Sequence, residues 1–161
     1  SGDATFEEDV KVEGDFSVDG AFPFIMTSSF DHNNSTDEKY YPIGKMKGSG
    51  KAGSAMDDTT VGADLANGYI YIVPFATTLR SMQVTVLTNP GATDYEIEVA
   101  TNLAVYTSNS STTVNTYAKT INANTTGNIN VGLALAKGNA IRFRIDPLSA
   151  ADEMMVNFIF E

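Results

Sequence analysis

The chain has 161 residues, of which 42% are hydrophobic and 19% charged, and this length and composition predict one globular domain with at most a short appendage. It contains no cysteine, which excludes disulfide bonds and cysteine-based zinc sites, and no run of about 18 apolar residues that would predict membrane insertion. Its net charge of −10 argues against anionic partners such as nucleic acid and acidic lipid.

The N-terminal segment is a short repeat. Residues 2–25 divide into six-residue units with the pattern Gly-Asp-apolar-x-apolar-acid. Strict alternation of this kind predicts β-strand with one apolar face and one polar face. The odd positions from 9 to 19 are all polar, and the apolar side chains stand at even positions: Phe6, Val10, Val12, Phe16, Val18, Phe22 and Phe24.

A repeat this short cannot bury its own apolar face, because solenoids need several stacked coils to form a core. Three copies wound around one axis would bury these side chains and pair the exposed strand edges. We therefore predict an intertwined trimeric β-stem over residues 1–25, with an edge hairpin packed on its own domain as the alternative. Residues 1–20 hold seven acids and one lysine, which we expect to face solvent. A calcium ladder of aligned carboxylates is the less favoured alternative.

Residues 26–67 show no regular period and are predicted to be irregular. Residues 31–37 form a polar stretch of turn-forming residues. Residues 44–53 carry three lysines among four glycines and are predicted to form a flexible, locally basic loop.

From Gly68 onward the chain predicts a series of short strands separated by turn signals. No segment has a helical period, so residues 26–161 are predicted to form an antiparallel β-sandwich, with the jelly roll as its expected form. The last strand is apolar on both faces except at Asn157, so it should lie centrally or at a subunit interface. The predicted strands span residues 69–73, 79–87, 95–99, 113–121, 129–133, 141–145 and 154–160.

The layout resembles the C-terminal region of bacteriophage fibre and adhesin proteins. The resemblance is carried by the stem repeat from Gly14 to Gly20, by the segment from Tyr71 to Phe75, and by the closing strand from Met154 to Glu161. It covers most of the chain and implies an all-β homotrimer with a distal knob on the surface of a virion. Ser1 and Gly2 stand where an initiator Met would, so we expect a missing N-terminal region that joins other virion proteins.

Few residues suggest catalysis. His32, the sole histidine, lies in a polar stretch and is predicted to be a surface loop residue. A cluster of three such histidines that binds a metal on the trimer axis is the minor alternative. Residues 48–53 match Gly-x-Gly-x-x-Gly but lack the strand and helix that a dinucleotide site requires. Asp57-Asp58 and the series Asp94, Glu96 and Glu98 are candidate carboxylates for glycoside hydrolysis, but Glu96 and Glu98 are expected on a solvent-facing strand surface. We predict no enzyme activity, no cofactor and no metal.

Three tyrosines near predicted loops are candidate receptor contacts, because their rings can stack on sugars: Tyr40, Tyr41 and Tyr106. Packing at the rim of the domain or between subunits is the equal alternative for them. The leading hypothesis is a fibre tip that binds a host-surface receptor, with a glycan as a candidate ligand. The runner-up is a structural head-fibre or capsid decoration protein, and the third is a polysaccharide depolymerase.

Overall fold

The computed structural model of the chain describes residues 23–35, 39–44, 56–57, 70–87, 91–101, 113–147 and 151–161. These residues form ten strands and no helix, which confirms the all-β prediction for this part of the chain. Nothing in the same residues could therefore cross a membrane as a helix. The strands are β1 (Phe24–Ser35), β2 (Lys39–Tyr41), β3 (Met56–Asp57), β4 (Tyr71–Ile72), β5 (Thr77–Val86), β6 (Gly91–Ala100), β7 (Thr113–Ile121), β8 (Thr125–Leu135), β9 (Ala140–Pro147) and β10 (Ala151–Phe160).

The strands form two antiparallel sheets. The first has the order β1-β10-β5-β8, and the second has the order β3-β2-β9-β6-β7, with β4 paired to β9. The pairs are nested along the chain: β1 pairs with β10, β2 with β9, β5 with β8, and β6 with β7. The antiparallel sandwich is therefore confirmed at the level of its sheets.

The apolar side chains of both sheets meet between them. In β10, alternate residues from Met154 to Phe160 are buried, and in β9 the buried series runs from Ile141 to Ile145. Phe143 lies at the centre, since its ring meets Phe158 edge-on at 5.0 Å between centroids and stacks on Tyr95 at 6.4 Å. Each such buried apolar side chain contributes roughly 1.5–3 kcal/mol relative to an exposed one. The two-residue period is therefore what places one face of each strand in the core.

β10 lies between β1 and β5, as predicted for a central strand. The prediction that residues 26–67 are irregular was wrong for β1, β2 and the two-residue strand β3. β1 is a strand because residues 24–31 pair in continuous register with residues 160–153 of β10. Its N-terminal end, Phe24 and Ile25, belongs to the predicted stem segment but forms the first pairs of this sheet.

Two local features position the strands. The Ser28 hydroxyl donates to the carbonyl of Pro42 and accepts from the Gly44 amide, which ties β1 to the segment after β2. Gly132 has φ of 63°, and the register between β5 and β8 shifts beside it, between Leu79 and Ser81. A glycine suits this bulge because a side chain at that φ is strained.

Candidate functional site

Of the seven side chains predicted to pack on the trimer axis, only Phe24 lies within the described residues. Its ring stacks on Phe160 at 4.6 Å between centroids and meets Phe75 edge-on at 5.5 Å. Phe24 is thus partly buried at one end of the sandwich. The other six, namely Phe6, Val10, Val12, Phe16, Val18 and Phe22, lie outside the described residues.

Two of the three candidate receptor tyrosines are buried. Tyr41 faces the core, where its ring stacks on Phe30 at 4.2 Å between centroids. Tyr40 points from the opposite face of β2 and is also buried. Neither ring is open to a sugar in this structure, and Tyr106 lies outside the described residues.

Tyr40 belongs to a group of polar side chains on the outer face of the second sheet, which we call the ion-pair cluster: Tyr40, Glu96, Glu98, Arg142 and Arg144. The strand register aligns them, because Glu96 is the cross-strand partner of Arg144 and Glu98 that of Arg142. Arg144 is in turn the partner of Tyr40 on β2. The sequence placed both glutamates on this outer face, but the expectation that they face solvent was wrong, since Glu96 is 7% exposed and Glu98 is 4% exposed.

The cluster is closely hydrogen-bonded. Arg142 donates to Glu98 through Nε at 3.0 Å and also through Nη2, and Arg144 donates to Glu96 through Nε at 2.6 Å and through Nη2. The Tyr40 hydroxyl donates to Glu98 Oε1 at 2.7 Å. The Arg142 guanidinium also lies 4.5 Å from the centre of the Tyr40 ring. Buried charges of this kind are tolerated because each is paired.

The electrostatics of the cluster favour a structural role. Burial raises the pKa of Tyr40 well above its usual value, and the hydrogen bond to Glu98 raises it further. The phenol therefore stays protonated and keeps donating to Glu98. Both carboxylates are buried and engaged by arginine, whereas a glycosidase acid or base must reach its substrate. The cluster thus holds β2, β9 and β6 together.

One step along the same face, two acids oppose each other. Asp94 on β6 is the direct cross-strand partner of Asp146 on β9. Like charges in this position destabilise a sheet. Within the described residues, no three histidine, cysteine, aspartate or glutamate side chains come together as metal ligands, so the pair gains no third acidic ligand there.

The outer face of the first sheet has a different character, and we call it the amide–hydroxyl face. Thr27 donates to Asn157 Oδ1 at 2.8 Å, and Asn157 Nδ2 donates to Gln83 Oε1 at 3.1 Å. Thr85 and Thr126 share a hydrogen bond of 2.8 Å between their hydroxyls. Sequence reasoning missed this face because β1 was not recognised as a strand. The alternation in β5 and β10 was the available signal, since it places Gln83 and Asn157 opposite the core residues.

The remaining sequence candidates add no site. His32 lies in β1 and Asp57 in β3, in positions whose side chains the structure does not describe, and residues 48–53, Asp58 and residues 107–112 lie outside the described residues. No protein-family model matches the chain, and no curated protein or solved structure does either.

Proposed function

We propose that the chain is the trimeric tip of a bacteriophage fibre and that it binds a receptor on the host cell surface. The observation that carries this proposal is the order of two segments along the chain: the repeat of residues 2–25 leads directly into β1, the first strand of the sandwich. A segment that cannot bury its own apolar stripe, followed by a sandwich, suits a trimeric stalk that presents a knob.

The finer form of the knob is part of the same proposal. The nesting of β1–β10, β2–β9, β5–β8 and β6–β7 supports a jelly roll, in which paired strands fold over into two sheets. The sandwich would then be a rigid support for the loops at its two ends, and such loops commonly carry recognition residues. Three knobs on one stalk would strengthen weak contacts with a surface receptor through avidity.

The first test is the mass of the chain in solution, measured by light scattering after size exclusion. A trimer has three times the 17.2 kDa of one chain, or 51.6 kDa. A monomer at every concentration measured would contradict the trimeric stalk.

The second test is binding of the fluorescently labelled trimer to candidate host cells, with excess unlabelled protein as competitor. Competed binding is expected, and its absence from every host that the virus infects would contradict the receptor role.

One observation favours the structural alternative, in which the same trimer decorates a capsid or head without a receptor. Tyr40 and Tyr41 are both buried, which removes two of the three aromatic contacts proposed for a sugar. Antibody labelling of virions separates the two functions. Label at the distal end of a tail fibre would support the receptor-binding tip, whereas label confined to the head would support decoration.

A further inference from the structure

One end of the sandwich exposes an apolar corner, which we define as Phe24, Ile25, Phe75 and Ile159. Ile25 is 63% exposed and Phe75 is 47% exposed, the two highest values among the large apolar side chains of the described residues. They form two pairs at the start of β1: Ile25 is the cross-strand partner of Ile159, and the ring of Phe75 contacts that of Phe24. Successive side chains of a strand point to opposite faces, so Ile25 and Ile159 stand on the outer face of the sheet while Phe24 and Phe75 stand on its core side, at the same end of β1.

Ile25 also departs from the alternation of the segment before it, in which odd positions are polar. Odd positions from 9 to 19 are all polar, and in β1 the outward positions after Ile25 are Thr27 and Ser29. The apolar residue at an outward position therefore occurs where the repeat meets the sandwich. A contact that covers Ile25 would explain it, since a β-branched apolar side chain left 63% exposed gains little from burial in its own domain.

Within the described residues, part of the outer face of the first sheet holds no charged residue, although the chain as a whole carries −10. Three successive rows across the amide–hydroxyl face consist of uncharged residues alone. Charged residues border these rows at both ends: Arg80 and Glu161 form an exposed ion pair with each other, and Asp31 is the cross-strand partner of Glu153 in the row beyond Ser29. The rows are Ile25, Ile159, Ser81 and Asn130; Thr27, Asn157, Gln83 and Asn128; and Ser29, Met155, Thr85 and Thr126.

This charge distribution favours another copy of the chain as the occupant. Two copies of a chain with net charge −10 repel each other, and the repulsion is weakest where both present an uncharged surface. The corner is also the place where the chain leaves the predicted stem, because β1 begins at Phe24. We infer that the apolar corner is where the knobs of three copies meet at the base of the trimer. This inference rests on the proposed trimer and adds a second, knob-to-knob contact beyond the stem.

The test replaces Ile25 by aspartate in the full chain and compares it with Val114→Asp as a matched control. Val114 is also β-branched and exposed, at 46%, but lies on β7 of the other sheet. A charge placed in the contact of all three copies should raise the concentration at which half of the trimer dissociates at least tenfold. Because the dissociation constant of a trimer varies with the square of that concentration, this corresponds to about a hundredfold change in the constant. Light scattering over a dilution series, with circular dichroism to confirm folding, measures the change. The control should leave that concentration unchanged.

A second measurement covers the case in which the stem alone holds the trimer together. The chain has no cysteine, so Ile25→Cys and Val114→Cys each introduce a single site for a pyrene label. Excimer emission, which requires two pyrenes in contact, is expected for the label at residue 25 and not at residue 114. If the wild-type chain is a trimer but Ile25→Asp leaves its dissociation unchanged and labelled Ile25→Cys gives no excimer, the knob contact is overturned and the proposed fibre tip stands. A wild-type monomer would overturn both.

Discussion

Glu98 is the residue on which the ion-pair cluster depends most, since it accepts hydrogen bonds from both Tyr40 and Arg142 while only 4% exposed. Glu98→Gln keeps the shape of the side chain but removes the charge that balances the buried guanidinium. Removal of one partner from a buried ion pair costs about 3–5 kcal/mol, because the other charge stays buried and uncompensated. We therefore expect Glu98→Gln to lower the free energy of unfolding by that amount, as measured by urea denaturation.

The exposed pair of Arg80 and Glu161 supplies the control for this prediction. Glu161→Gln removes the same kind of charge at a site where water solvates the arginine that remains. Exposed pairs contribute about 0.2–1 kcal/mol. A loss for Glu98→Gln no greater than that for Glu161→Gln would show that burial does not make the cluster important.

Tyr95 makes stability depend on pH in the alkaline range. Burial raises its pKa from 10.0 to about 12, so the folded chain keeps a proton that the unfolded chain releases above pH 10. The contribution of the Tyr95 phenol to the free energy of unfolding is fully present below pH 10. It falls by about 1.4 kcal/mol per pH unit as the pH rises from 10 towards 12. Urea denaturation between pH 8 and about pH 12 should show this fall, and Tyr95→Phe should make it shallower. An equal slope in both proteins would contradict the assignment to Tyr95.

Between strands, β6 and β9 carry two favourable cross-strand pairs and one unfavourable pair. Asp94 faces Asp146, one step beyond the pair of Glu96 and Arg144. Cross-strand charge pairs contribute about 0.2–1 kcal/mol, with the sign set by the charges. Asp94→Asn should therefore raise the free energy of unfolding by a few tenths of a kcal/mol at pH 7. Glu96→Gln on the same strand should lower it, and thermal unfolding of the two variants side by side tests the opposite signs.

Strands in which apolar and polar residues alternate strictly were predictable, because that two-residue period can be read from the sequence alone. β10 is the clearest case, with buried residues at every second position from Met154 to Phe160, and in β9 the core side is formed by Ile141, Phe143 and Ile145. β1 was missed because the residues after Phe30 are turn formers, and their strand conformation comes from pairing with β10. Pairing between segments 130 residues apart, such as Thr27 with Asn157, leaves no local signal.

The candidate site was predictable to the same extent. Alternation correctly placed Glu96 and Glu98 on the face opposite the core residues of β6. Their burial, and their pairing with Arg144 and Arg142, depend on the register of β6 with β9, which only the folded chain reveals. Tyr40 and Tyr41 were placed near loops for the same reason, because the short strand β2 that buries them gains its place from β9.

At the scale of the whole molecule, charge is distributed unevenly along the chain. Residues 1–20 carry seven of the 20 acids and one lysine, while the remaining 141 residues carry 13 acids and nine basic residues. In the proposed trimer, three copies of that acidic segment run side by side. Their repulsion acts over the Debye length, which is about 10 Å at 0.1 M salt and about 3 Å at 1 M.

The trimer should therefore be stabilised by salt. Raising sodium chloride from about 0.02 M to about 0.5 M should increase the temperature at which the trimer dissociates, because screening weakens the repulsion between stems. A variant with Glu7→Gln, Glu8→Gln and Asp9→Asn should dissociate at a higher temperature in low salt and respond less to added salt. Asp94→Asn with Asp146→Asn serves as the control, since it removes acids from the sandwich and should leave the salt response of dissociation unchanged. Light scattering during heating measures dissociation directly. If neutralising the stem and neutralising the sandwich alter the salt response equally, the acidic segments do not lie side by side.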